Sequence, residues 1–354
     1  MSTSNTASPR PFLARRYTAD TFVYFIDIVG TCNLGCVSCP VGNTPLSTVS
    51  RGARTRGFMS FELFSQILDK IVREAPVPRP VVALYNWGEP LLHPDIGRIV
   101  RLVRSHDLYC AVSTNLNQDR FLEDLVLAAP SNIKISLSGF TQDTYSRTHN
   151  KGQIETVKAN MRRLRELLDR HDVNTEVVVG YHDYIGNDGE ELAAMEALAD
   201  ELGFLLRHKI ARFAPLEKVL PLSRPDGVPD PNDRRLFELL LVKPAEWARV
   251  AAVEAQDGSC MMREQEMALN YDGSVALCCN VFDYANNVAP DFLSMSHDEL
   301  QAQKHRHELC GPCTRAGFPY SGGLDDHPDI VRIIEARATS AAQRSSPLLP
   351  VVKR

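Results

Sequence analysis

The 354-residue chain predicts an α/β fold, an open six-stranded (β/α)6 barrel followed by a small C-terminal α+β domain. Three observations carry that prediction. Between residues 22 and 213, six apolar, β-branched runs alternate with helical patterns of about ten to twenty residues, which is how a parallel sheet is written. A proline-rich stretch, Pro215–Asp233, then breaks the alternation. Beyond it, Asp272-Gly273 between two short runs marks a β-hairpin. Right-handed crossovers curl such a parallel sheet towards a barrel, and functional residues gather at the carboxyl ends of its strands.

Composition narrows the function. Apolar content of 44% and charged content of 23% are those of an ordinary globular protein. A net charge of −5 gives no reason to expect nucleic acid or an anionic membrane as partner. No apolar run approaches the ~18 residues of a membrane span. Met1–Arg16 is polar and lacks the apolar core of a secretory signal, so residues 1–18 read as a tail. Nine cysteines without such a signal argue for a reducing, cytoplasmic setting and for metal ligation over disulfides. Three of them fall at 32–39 and five between 260 and 313, which suggests two metal centres.

Taken in order, the aromatic run Phe22–Val29 reads as the first strand. It delivers Cys32, Cys36 and Cys39 onto the loop at its carboxyl end. Three thiolates on one loop can hold three corners of a [4Fe–4S] cube and leave one iron open; zinc, which also takes clustered cysteines, is the other reading. The loop 41–58 carries Arg51, Arg54 and Arg56, suited to an acidic ligand or simply to solvent. Ser60 caps a helix whose Phe61, Phe64, Ile67, Leu68, Ile71 and Val72 share a face. Strand Pro80–Tyr85 ends in Asn86-Trp87-Gly88-Glu89-Pro90. Helix Asp95–His106 leads to strand Leu108–Ser113, which ends at Thr114-Asn115. Helix Asp119–Ala128 leads to strand Ile133–Leu137, and helix Ile154–Arg170 to strand Thr175–Gly180 with Tyr181-His182-Asp183 at its end. Helix Gly189–Leu202 leads to the sixth strand, Leu205–Phe213. Cys110 lies mid-strand and reads as a small core residue. The barrel therefore occupies 19–214, and a linker with a helix over Leu236–Val253 occupies 215–256. The second cysteine region occupies 257–335, and residues 336–354 read as a C-terminal tail.

In that second region the spacing C…G-x4-C…C-x2-C gathers Cys260, Cys278, Cys310 and Cys313, with Cys279 as an alternative to Cys278. Four thiolates close a site completely, whether it holds a cluster or zinc.

The C-x3-C-x2-C spacing after an early strand resembles the signature of the radical S-adenosylmethionine (SAM) enzymes. That resemblance implies a partial, TIM-like radical SAM barrel in which the amino and carboxylate groups of SAM chelate the open iron of the [4Fe–4S] cluster. Reductive cleavage of SAM then yields a 5′-deoxyadenosyl radical that abstracts hydrogen from carbon. The Asn86–Pro90 segment resembles the family's GGEP motif, so Asn86, Gly88, Glu89 and Pro90 are implied SAM contacts. Asn115 at a strand end joins them. Ser136 matches a fourth-strand serine, and Arg147 an arginine that pairs with SAM's carboxylate. Two positions depart from the family pattern: Ser38 replaces the aromatic before the third cysteine, and Trp87 replaces a glycine. The second region resembles a shortened SPASM, or Twitch, extension, which implies one auxiliary [4Fe–4S] cluster on Cys260, Cys278, Cys310 and Cys313.

What the resemblance implies is hydrogen abstraction from a small-molecule intermediate such as a sugar, cyclitol or amino acid, leading to oxidation, epimerisation or rearrangement. A reducing donor such as flavodoxin or ferredoxin is implied as partner. Tyr181, His182, Asp183 and Arg212, at strand ends, are candidates for substrate contact. Maturation of a ribosomally made peptide is the alternative; with about twenty residues before the first strand, no fused leader-recognition domain is expected. A non-catalytic zinc or Fe–S scaffold is the reading from a different class.

Overall fold

A computed structural model of the chain describes residues 20–43, 56–254 and 259–345. The expected tail at 1–18, Arg51 and Arg54, and residues 346–354 lie outside the described residues.

Six parallel strands form as the alternation predicts. They are β1 (Val23–Ile26), β2 (Val81–Ala83), β3 (Tyr109–Thr114), β4 (Asn132–Leu137), β5 (Glu176–Asp183) and β6 (Leu205–Ile210). The helices between them include Phe61–Glu74, Ile96–Ser105, Leu122–Leu127, Ile154–Arg170 and Glu190–Glu201. Ser60 caps the first of these through a bond from Leu63 N–H at 3.1 Å.

The hairpin forms too. Strands β7 (Glu266–Leu269) and β8 (Val275–Ala276) pair antiparallel around Gly273, whose φ of +86° favours glycine. Strand β9 (Asn287–Ala289) pairs with β8. The hairpin is not set apart from the barrel: β7 lies parallel to β1, Val23 opposite Glu266 and Ile26 opposite Leu269. Among the described residues the sheet therefore runs β6-β5-β4-β3-β2-β1-β7-β8-β9 without a break.

Alternation along each strand sorts the side chains. Tyr24 and Ile26 point outward into the large core under the helices. On the inner face one register row crosses five strands as Ala111, Ala83, Phe25, Ala268 and Ala276. Small alanines surround one phenyl ring there, and Tyr85 packs edge-on to Phe25 at 5.7 Å.

The structure corrects three expectations. The segment expected to be a linker holds a helix, Leu216–Leu222, which buries Leu216, Val219 and Leu222 along one stripe. Pro215 stands at its N-cap, where a missing N–H costs no helical bond, while Pro221 lies inside the helix, which ends one residue later. The helix expected over Leu236–Val253 is two helices, Arg234–Leu239 and Pro244–Glu254, because the residue before Pro244 is barred from helical geometry. The last helix, Pro328–Ser345, runs past the boundary expected at 335. Among the described residues no helix is long and apolar enough to cross a membrane.

Candidate functional site

The end of β1 meets the segment after β2 through a dense set of backbone ties. Asp27, 1% exposed, accepts the N–H groups of Trp87 at 3.1 Å and Gly88 at 3.0 Å. Glu89 N–H donates to Thr31 carbonyl at 2.9 Å. The cysteine loop is held from its other side, where Gly35 and Val37 N–H groups donate to the carbonyls of Asn150 at 2.9 Å and Thr148 at 3.0 Å. Cys32 Sγ accepts from Leu34 N–H at 3.4 Å and Asn115 Nδ2 at 3.5 Å, and Cys39 Sγ lies 3.8 Å from Trp87 carbonyl. The loop geometry is thus imposed by its neighbours.

Burial pushes the Cys32 thiol up to about 12 and holds Cys36 well above the ordinary thiol range. Thiolates here need a compensating positive charge, which iron supplies and solvent does not. The all-sulfur donor set fits an Fe–S cluster. Among the described residues no three His, Cys, Asp or Glu side chains are grouped tightly enough for a single metal ion. Tetrahedral zinc would need sulfurs only about 3.8 Å apart, from Zn–S near 2.3 Å; a cluster spreads its ligands wider.

Glu89 is turned inward. Only 3% exposed, its carboxylate accepts from Thr114 Oγ1 at 2.7 Å, Asn115 N–H at 2.7 Å and Leu91 N–H at 3.0 Å. Burial pushes it up to about 7 despite these donors. It therefore braces the ends of β2 and β3, and Asn115 carries that brace on to Asn33 Oδ1 at 2.9 Å. Asn86, with its amide oriented to satisfy both neighbours, donates to the Cys279 carbonyl at 3.1 Å. Pro90 opens the short 3-10 turn Pro90–Leu92.

One cavity of about 430 Å³ joins the two cysteine regions. Cys36 and Cys39 line one part of it, and Cys260, Cys278, Cys310 and Cys313 another. Of the other expected residues, Ser136, His182 and Arg212 reach its wall. Burial, then Lys134 and Lys209, hold His182 well below the ordinary imidazole range, so it is neutral. Arg212 lies 4.4 Å over the Trp247 ring and donates to Ser321 carbonyl at 2.6 Å and to the Asp325 carboxylate.

The remaining candidates lie off the cavity wall. Tyr181 is buried and donates to Asn187 carbonyl at 2.5 Å. Asp183 pairs with His208 Nδ1 at 2.9 Å. Arg147 donates to the carbonyls of Ile185 at 3.0 Å and Gly186 at 3.2 Å.

Sequence reasoning missed His149, Tyr184, Lys209 and Trp247 in the wall. His149 stacks on Tyr145 at 4.5 Å, and burial lowers it to about 4. Lys209 was within reach of the sequence, since it stands opposite His182 in the β5–β6 register. His149 and Trp247 carry no spacing signal.

The structure also separates the two adjacent cysteines. Cys278 packs with Cys310 and Cys313 beside Leu216, Leu277 and Val281, whereas Cys279 packs on the inner face of the sheet with Val81 and Tyr85. If Cys260, Cys278, Cys310 and Cys313 are the ligands of a cubane, Cys278→Ser should cost about four iron per chain and Cys279→Ser none; iron and sulfide assays of reconstituted protein check this.

Residues 26–195 match the family model of the Radical SAM superfamily. Among curated proteins, GTP 3′,8-cyclase of Chlorobaculum tepidum is 25% identical over 142 residues, and the match spans 39% of each chain. Among solved structures, native anSMEcpe with bound AdoMet superposes with a TM-score of 0.56 at 15% identity, over 91% of this chain and 99% of that one. Streptococcus suis SuiB bound to precursor peptide SuiA gives 0.54 at 11% identity, over 84% and 68%. These structures show the fold alone, and the family match covers just under half of the chain. Over residues 26–195 the chain is therefore similar to the radical SAM enzymes, and the comparisons support an enzyme.

Proposed function

We propose that this enzyme abstracts hydrogen from a carbon of a small-molecule biosynthetic intermediate (a sugar, cyclitol or amino acid), leading to its oxidation, epimerisation or rearrangement. Cys32, Cys36 and Cys39 would hold the SAM-binding [4Fe–4S] cluster, and Cys260, Cys278, Cys310 and Cys313 an auxiliary one in a Twitch-like region. When bound, the first cluster and SAM supply reductive cleavage to a 5′-deoxyadenosyl radical. The observation that carries the proposal is the cavity whose wall contains thiols of both sets.

The chain's own residues bind, orient and exclude water. The backbone of Asn86–Pro90, Ser136 and the Asn115 brace position SAM, and Arg147 stiffens the neighbouring loop. Phe213, Leu216, Val219, Leu277 and Phe318 give the wall its apolar part, which keeps water from a reactive radical. Neutral His182, whose ring already bonds the Leu137 backbone, leaves its other nitrogen to accept from a substrate hydroxyl or amine. Electrons come from a reducing donor such as flavodoxin or ferredoxin, in the cytoplasm.

A second reading, modification of a peptide, draws support from the neighbour captured with its precursor peptide. Anaerobic turnover with deuterated candidates decides. Label from a sugar, cyclitol or amino acid should appear in 5′-deoxyadenosine. Label arriving only from a peptide would replace the first reading with the second. Cys313→Ala should keep SAM cleavage while losing product; unchanged product formation would remove the auxiliary site from the reaction.

A further inference from the structure

Beside the four-thiol site stands a lysine that the reading above does not use. Lys304 lies in the last turn of the helix His297–Arg306 and is 0% exposed. Lysine is almost never fully buried without partners, and its partners here are all main-chain carbonyls. Its Nζ donates to Arg263 carbonyl at 2.7 Å, to Met262 carbonyl at 3.4 Å and to Glu266 carbonyl. The first two belong to the turn that follows Cys260, and the third opens β7. The Cys310 sulfur lies 3.6 Å from the carbonyl of Lys304 itself. One residue thus ties together the segments that carry Cys260 and Cys310.

The helix is anchored at its far end. Ser296 and Glu299 form a capping box, and Gln301 Nε2 reaches the carbonyls of Arg263 at 3.4 Å and Glu264 at 3.3 Å. The side chain is consequently fixed in place; burial lowers its pKa from the ordinary lysine range, while Cys278, Glu266 and Cys260 beside it favour the ammonium. Four thiolates and the nearby buried carboxylate of Glu266 would crowd negative charge into this part of the protein. A fixed cation in a water-poor site acts strongly on such charge, and it favours the state carrying one electron more.

We propose that Lys304 is a positioning residue for the auxiliary site: its buried ammonium pins the Cys260 turn to the helix leading to Cys310, and raises the reduction potential of the cluster those thiols hold. Surroundings of this kind are what spread Fe–S potentials. The inference rests on the assignment of Cys260, Cys278, Cys310 and Cys313 as cluster ligands made above.

The test uses the full chain carrying Cys32→Ala, Cys36→Ala and Cys39→Ala, so that only the second site is read. Potentiometric titration followed by electron paramagnetic resonance gives its midpoint. Lys304→Gln keeps a donor but removes the charge. It should hold iron and shift the one-electron equilibrium at least tenfold towards the oxidised form, about 59 mV. Lys304→Arg should keep the parent potential. Iron lost in Lys304→Gln but retained at the parent potential in Lys304→Arg also supports the proposal. An unchanged potential in iron-replete Lys304→Gln overturns it, as does loss of iron in both variants, which would leave Lys304 a plain structural tie. If the parent itself holds no cluster at these thiols, the failure lies in the ligand assignment instead.

Discussion

Cys36→Ala should abolish SAM cleavage, leaving 5′-deoxyadenosine at the level of the enzyme-free control. Cys36 is one of two thiols of the first set in the cavity wall, and a cube held at two corners is not retained. The loss should be chemical and not a collapse of the fold. The loop is held by Gly35 and Val37 N–H groups donating to Asn150 and Thr148, and neither bond involves the Cys36 side chain. Far-ultraviolet circular dichroism should therefore match wild type, while iron falls from about eight to about four per chain, on cubane stoichiometry. Cleavage persisting in this variant would contradict the assignment of the open iron.

Gly88→Ala should be nearly as damaging for a different reason. A Cβ at this position would stand 1.7 Å from the Val29 carbonyl oxygen and 2.7 Å from its carbon. Both are backbone atoms next to the cysteine loop, so no side chain can swing aside. The Asn86–Pro90 segment would have to lift away, breaking the bonds from Trp87 and Gly88 to Asp27 and from Glu89 to Thr31. Three bonds at about 1 kcal/mol each, one acceptor being a carboxylate, make a loss of about 3–5 kcal/mol. SAM affinity should fall at least about 100-fold, since about 1.4 kcal/mol is tenfold and the segment is the proposed SAM contact. Denaturant unfolding and equilibrium dialysis with labelled SAM measure both. Gly322→Ala, with nothing within 4 Å of the added atom, is the control and should stay within about 0.5 kcal/mol of wild type. A Gly88→Ala protein as stable as this control would show that the two segments are not locked together.

The alternation of strands and helices was legible because a parallel strand buried on both faces must be almost wholly apolar, as Val-Tyr-Phe-Ile and Val-Val-Ala are. The helix Leu216–Leu222 was not, because Pro215 and Pro221 mask an apolar stripe at 216, 219 and 222. The thiols announced themselves by spacing. The inward turn of Glu89 did not, since a carboxylate that braces β3 and one that faces a ligand have the same letter. The choice between Cys278 and Cys279 needed the strand's two faces. Arg212 could be named from its place after a strand, but its pairing with Asp325, 113 residues on, belongs to tertiary structure alone.

The parallel seam between β1 and β7 has a consequence for biogenesis. The strand that launches the cysteine loop finds its second neighbour only when residues 266–269 have been made, some 240 positions later. Until then its N–H and C=O groups form an open edge, the kind of surface that recruits other chains. A newly synthesised chain loaded with iron before that seam closes would carry its first ligand loop on a strand still open along one edge, so cluster insertion is best served by a finished polypeptide. Expression cut short before residue 266 should yield aggregates in place of a smaller working barrel.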